Sequence, residues 1–133
     1  MNRYNTHRTI LLVDDNDLDN HVNTKIIKRC NFADSIHSVN SAKSAIKFLN
    51  GLITNPEKLP DLIFLDIVMP EVDGFGFLRM FYKCDEVIKS KCRIVMLTSS
   101  VDSIDYYRAL SYPYVINYLK KPLNIEELFA IAA

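Results

Sequence analysis

The chain has 133 residues, 49% of them hydrophobic and 24% charged, enough for one domain with an ordinary core. Its 16 basic and 16 acidic side chains cancel, so no global field recruits nucleic acid; no apolar run approaches a membrane span, and "MNRYNTHRT" lacks the apolar core of a signal peptide. Cys30, Cys84 and Cys92 are odd in number without C-x-x-C spacing, which points to reduced, packed thiols and a cytoplasmic protein, and His7, His21 and His37 have no metal-ligand spacing.

Residues 1–8 read as an N-terminal tail. "TILLV" (9–13) is a short apolar strand that ends at Asp14-Asp15. A helix follows from Asn16, with Leu18, Val22, Ile26 and Cys30 every four residues and Ile27 widening the stripe. "SIHSV" (35–39) is a second strand. Ser41 to Asn50 is a helix with Ala42, Ala45, Ile46 and Leu49 on one face and Gly51 just past its end. "LITNPEKLP" is a polar loop. "DLIFLD" is the third strand, followed by a helical pattern through Phe75, Leu78, Phe81 and Tyr82. "RIVMLT" (93–98) is the fourth strand, a fourth helix begins near Asp102, and "YVINYL" (114–119) is the fifth strand. Lys121-Pro122 breaks it, and a fifth helix closes the chain, with Asn124 and Glu127 as a capping box.

Five β-α repeats specify a doubly wound α/β domain: a five-stranded parallel sheet with helices on both faces. Ligands of such sheets bind at the carboxyl ends of the strands. Asp14 and Asp15, Asp66, Thr98 and Lys121 all fall at those ends. Each alone has an ordinary explanation, as a helix cap or a surface charge; together they describe a site. Three gathered carboxylates repel unless a cation joins them, and Mg²⁺ takes a few carboxylate oxygens and leaves room for a phosphate oxygen. With Asp14, Asp15 and Asp66 at −3, Mg²⁺ at +2 and Lys121 at +1, the charge balances before a substrate arrives. That arrangement suits phosphoryl transfer onto Asp66, with Lys121 and Thr98 around the incoming group.

The chain resembles the receiver domains of two-component response regulators from about Thr9 to the last helix. The resemblance rests on "ILLVDDN", on "DIVMPEVDG" against a D-x-x-M-P-x-x-D-G signature, on "IVMLTSS" and on "YLKKP". It implies a flavodoxin-like fold with strand order 2-1-3-4-5, residues 9–133 forming a single receiver domain with no output domain in this chain. It also implies that Asp66 takes a phosphoryl group from a histidine kinase or histidine phosphotransfer protein and that a downstream protein reads the result, without nucleic acid or membrane contact by this domain. Asp15 and Asp66 would ligate Mg²⁺ directly, the backbone carbonyl of Val68 would complete the protein ligands, and Asp14 would act through water. Lys121 would contact the phosphoryl oxygens beside a cis bond to Pro122, with Lys120 the competing candidate. Thr98 and Tyr118 would form a switch coupling the site to the face of the fourth helix, fifth strand and fifth helix. Ser99 would be the small residue that leaves access to the phosphoryl group, Val68 and Ser100 would flank that group and influence its lifetime, and Gly74 would permit the tight turn into the third helix.

Pro113 stands where many relatives have glycine, the loop from Gly51 to Pro60 is long, and Val68 cannot hydrogen-bond an attacking water. An aspartate-dependent phosphatase of the haloacid dehalogenase type would need an acid at position 68. A flavodoxin-like cofactor binder would not open on "DDNDLD". A degenerate receiver acting as an unphosphorylated adaptor is the other alternative, and the complete set of Asp14, Asp15, Asp66, Thr98 and Lys121 argues against it.

Overall fold

The computed structural model describes residues 8–99 and 102–132. Five parallel strands, β1 (Thr9–Val13), β2 (Ser35–Val39), β3 (Leu62–Asp66), β4 (Arg93–Thr98) and β5 (Val115–Lys120), lie in the order β2-β1-β3-β4-β5, as expected. Side chains alternate between two faces, so each strand serves two cores. Leu11, Val13, Ile63, Leu65, Ile94 and Met96 face one core; Ile10, Leu12, Phe64, Val95 and Leu97 face the other.

The first core is covered by α2 (Ala42–Asn50), α3 (Gly74–Tyr82), α4 (Glu86–Lys91) and α5 (Ser103–Leu110), and the second by α1 (Asp17–Arg29) and α6 (Ile125–Ala132). Among the described residues, six α-helices therefore replace the five read from the sequence. The extra one, α4, is a six-residue helix that Asp85 caps by accepting from the Val87 amide at 2.9 Å. It buries Ile88, too little for a periodic pattern to register. The switch face expected of the fourth helix, fifth strand and fifth helix is thus α5, β5 and α6.

The phase of α1 also differs from the expected stripe. Leu18 and Val22 are 68% and 39% exposed, while Asn20, Asn23 and Ile27 are buried. The first turns of α1 pack over strand ends, where carbonyls run out of ladder partners and side-chain donors can serve them; the Val39 carbonyl also accepts from the Asp14 amide at 3.2 Å. Asn20 supplies such a donor, its Nδ2 donating to the Asp14 carbonyl at 3.0 Å and the Val39 carbonyl at 3.4 Å. Tyr82, assigned to the buried face of the third helix, is 63% exposed. Gly51 ends α2 at φ −67°, without a left-handed cap. The long loop holds a 3₁₀ turn (Pro56–Lys58) and is pinned by fully buried Leu59. No helix among the described residues is long and apolar enough to cross a membrane.

Candidate functional site

The carboxyl edge of the sheet brings the expected residues together. β1 delivers Asp14, which is 3% exposed and whose Oδ1 accepts from the Asn16 amide at 2.9 Å, so the same turn that starts α1 fixes the carboxylate. Asp15 beside it faces solvent. Asp66 ends β3 at 5% exposure, directly beside Leu97 of β4. Thr98, buried, ends β4 and pairs with Lys120 of β5. Asp14, Asp15 and Asp66 each offer an oxygen, all within 4.8 Å of one another.

Lys121 follows β5, its amide donating to the Thr98 carbonyl at 2.7 Å. Its side chain then points into the acidic cluster, whereas Lys120 is exposed on the strand. The ammonium lies 2.6 Å from Asp14 Oδ2, 2.9 Å from Asp19 Oδ2 and 3.4 Å from Asp66 Oδ1. The bond to Pro122 is cis.

Asp19 is the member that sequence reasoning missed. It sits in the first turn of α1, where an acidic residue is accounted for by the helix dipole. Its partner is 102 residues away, so no local spacing reveals the pair. Its charge also changes the arithmetic: four carboxylates, Lys121 and a divalent cation sum to −1 rather than zero.

Electrostatics follow from this crowding. Burial, then the charge of Asp14, pushes the Asp66 carboxyl up to about 6 against the opposing pull of Lys121 and a hydrogen bond from the Val68 backbone. Burial disfavours the Lys121 ammonium, but hydrogen bonds to Asp14 and Asp19 and the charge of Asp66 outweigh it and hold its pKa above the ordinary lysine range. The donor set is hard, anionic and open to water at Asp15, which fits Mg²⁺.

The turn after Asp66 is built by its own sequence. Ile67 donates to the Leu97 carbonyl, Gly74 donates back to Ile67 at 2.8 Å, and Asp73 caps α3 by accepting from Gly76 at 2.8 Å. The Val68 side chain between them is 73% exposed. Ser99 and Pro122 are exposed at the same edge, and Ser100 lies outside the described residues. Tyr118 is buried, packed edge-on against Tyr106 at 5.5 Å, with its hydroxyl near the Asp102 backbone but closing no hydrogen bond. His21 and His37 are exposed and far apart in the chain, and His7 lies outside the described residues. The three cysteines are free, with Cys92 buried and the other two partly so.

The response regulator receiver domain family model matches residues 10–133. The chain belongs to the response regulator receiver domains. The receiver is 31% identical over 119 residues to the probable methanogenesis regulatory protein FilR2 of Methanothrix harundinacea strain 6Ac, spanning 90% of this chain and 75% of that one. Other curated relatives are far longer, and the chain spans as little as 13% of one of them. Among solved structures, the receiver superposes on a two-component response regulator from Cytophaga hutchinsonii with a TM-score of 0.85 at 32% identity, covering 92% of this chain and 94% of that one. The phosphorylated cyanobacterial phytochrome response regulator RcpA gives a TM-score of 0.73 at 27% identity, covering 95% of this chain and 89% of that one.

Proposed function

We propose that this receiver accepts a phosphoryl group on Asp66 from a phosphohistidine of a histidine kinase or histidine phosphotransfer protein, with Mg²⁺ in the acidic cluster. The observation that carries the reading is the meeting of Asp14, Asp15 and Asp66 with the Lys121 ammonium at one sheet edge. In the transfer, an Asp66 oxygen forms the new bond to phosphorus as the phosphorus–nitrogen bond breaks. The electron pair of that bond stays on the imidazole, which keeps or gains a proton to leave as neutral histidine. Asp66 must be ionised to attack, and Lys121 favours the ionised form.

Asp14, Asp15, Asp66 and the Val68 carbonyl are the residues that would hold the cation. Mg²⁺ there supplies charge neutralisation and an anchor for a phosphoryl oxygen. Lys121 binds the remaining developing charge, and Thr98 offers a hydroxyl from β4. Val68 in place of an acid leaves no general acid–base group for continuous phosphomonoester turnover, which disfavours the phosphatase reading.

Helical surface around the site suits a helical donor. Val22 on α1 and Ile125 at the start of α6 stay 39% and 48% exposed and share one groove with Ile26 and Leu123. Leu18, one turn earlier on α1, is 68% exposed. Output to a downstream protein runs through Thr98 and Tyr118 to the face of α5, β5 and α6, where Ile104, Tyr107 and Ile116 are exposed.

The test is intact-protein mass after incubation with acetyl phosphate and Mg²⁺, beside Asp66→Ala and a chelated control. A single phosphoryl adduct that requires both Mg²⁺ and Asp66 is the expected result. If a folded, Mg²⁺-binding protein takes no phosphoryl group from acetyl phosphate or from any histidine kinase tried, the adaptor reading replaces this one.

A further inference from the structure

The geometry points to Asp19 as a positioning residue that holds the Lys121 ammonium on the α1 side of the site until a phosphoryl group on Asp66 draws it away. The inference rests on the phosphoryl-accepting role proposed above for Asp66. A lysine ammonium has three N–H donors, and here three carboxylates surround it: Asp14 at 2.6 Å, Asp19 at 2.9 Å and Asp66 at 3.4 Å. Its hydrogen bonds go to Asp14 and Asp19, while Asp66 stands at ion-pair distance. To draw closer to a phosphoryl group on Asp66 the ammonium must loosen its hold on the other carboxylates.

The three differ in how easily they are surrendered. The Asp14 and Asp66 side chains are 5% and 7% exposed, so each would be left poorly solvated without the lysine. Asp19 is 37% exposed, and water can take the place of the ammonium. The Asp19 amide donates to the Asn16 side chain at 3.0 Å, so the cap of α1 fixes where the carboxylate stands. Asn16 in turn donates its amide to Asp14 Oδ1. One short turn thus places both the metal-side carboxylate and the carboxylate that retains the lysine.

An acid in the first turn of a helix is ordinarily a dipole partner and no more. Asp17, two residues earlier, is such a residue: it lies in the same turn, and no Lys121 contact involves it. The pair therefore provides its own control. Removing either acid deletes one negative charge near the site, but only Asp19 grips the lysine.

The experiment measures binding of beryllium fluoride, a tetrahedral phosphoryl mimic, to metal-saturated protein by fluorine NMR. Wild type, Asp19→Asn, Asp17→Asn and Asp19→Glu are compared, with urea denaturation to show that all four are folded. Asp19→Asn is expected to bind the mimic about two- to fivefold more tightly, the size of a half-exposed ion pair no longer opposing the move. Asp17→Asn changes affinity by less than that, and Asp19→Glu, which returns the charge, goes back toward wild type. Unchanged or weaker binding by Asp19→Asn overturns the assignment, as does an equal gain in Asp17→Asn, which would reduce the effect to general charge. If wild type neither binds the mimic nor forms the Asp66 adduct with acetyl phosphate, the phosphoryl-accepting role itself fails, and the inference with it. An adduct in wild type with no change in Asp19→Asn sinks the inference alone.

Discussion

Gly74 lies so close to the end of β3 that a Cβ placed on it would stand 2.7 Å from the Asp66 carbonyl oxygen and 2.8 Å from the Ile67 Cα. Both obstacles are backbone, so neither can rotate away. The glycine lets the start of α3 press against the strand that carries Asp66, a close approach that no side chain permits.

Gly74→Ala is accordingly expected to destabilise the fold by about 1–3 kcal/mol, as overpacking of a rigid site does. It should also weaken Mg²⁺ binding, because relief of the clash moves Asp66. Urea denaturation and calorimetric Mg²⁺ titration read the two effects. A variant with wild-type stability and metal affinity would mean that the turn relaxes elsewhere.

Asp66 sets a pH dependence with a defined sign. Its carboxyl is raised to about 6 from 3.8, so between these values the folded state binds more protons than the unfolded chain. The stabilisation is fully present below about pH 4 and is lost as pH rises through about 6. Without metal, Asp66→Asn should therefore gain about 1–3 kcal/mol relative to wild type at pH 7.5 and much less at pH 4.5. Urea melts in chelator at both pH values decide it, and an equal difference at the two would contradict the raised carboxyl.

Lys121 holds two buried carboxylates together when no cation does so. Lys121→Met should lower metal-free stability by about 2–4 kcal/mol, because it leaves Asp14 and Asp66 facing each other without compensation. Saturating Mg²⁺ should then restore more stability to the variant than it adds to wild type. Thermal melts with and without Mg²⁺ measure this, and equal metal-induced shifts would argue against a shared role for lysine and cation.

Val68 stands open to water two residues after Asp66, 73% exposed. It can neither position nor activate a water at a phosphoryl group. The aspartyl phosphate is expected to hydrolyse slowly, and Val68→Asn to shorten its half-life severalfold with little effect on stability. Decay of the adduct followed by intact mass tests this; an unchanged half-life would count against it.

Strands and helices that bury apolar faces were legible in the chain because their period matches their packing. "LIFLD" and "RIVMLT" are buried on both sides, and β3 and β4 occupy the inner part of the sheet. The expected site residues from Asp14 to Lys121 converge because each ends a parallel strand at one edge. What hid from the sequence depended on polar burial. In α1 the apolar residues Leu18 and Val22 face out while Asn20 and Asn23 face in, and the Asn20 amide donates to the Asp14 and Val39 carbonyls at the strand ends. A hydrophobic period cannot detect a helix whose inner face is partly amide. Asp19 escaped for a related reason: its partner comes from the far end of the chain, and in its own turn it resembles any acid at a helix start.

The Asn117 side chain accepts from the Tyr118 amide at 2.8 Å, on the strand that forms one border of the sheet. A bordering strand normally presents its main-chain donors as a template on which another chain can extend the sheet. Here one such donor is already spent on the neighbouring side chain, and the register between β4 and β5 is irregular at Ile94 and Val95. That border is a poor template. What this border offers a neighbour instead is protruding side chains such as Ile116, 43% exposed, read by shape and chemistry.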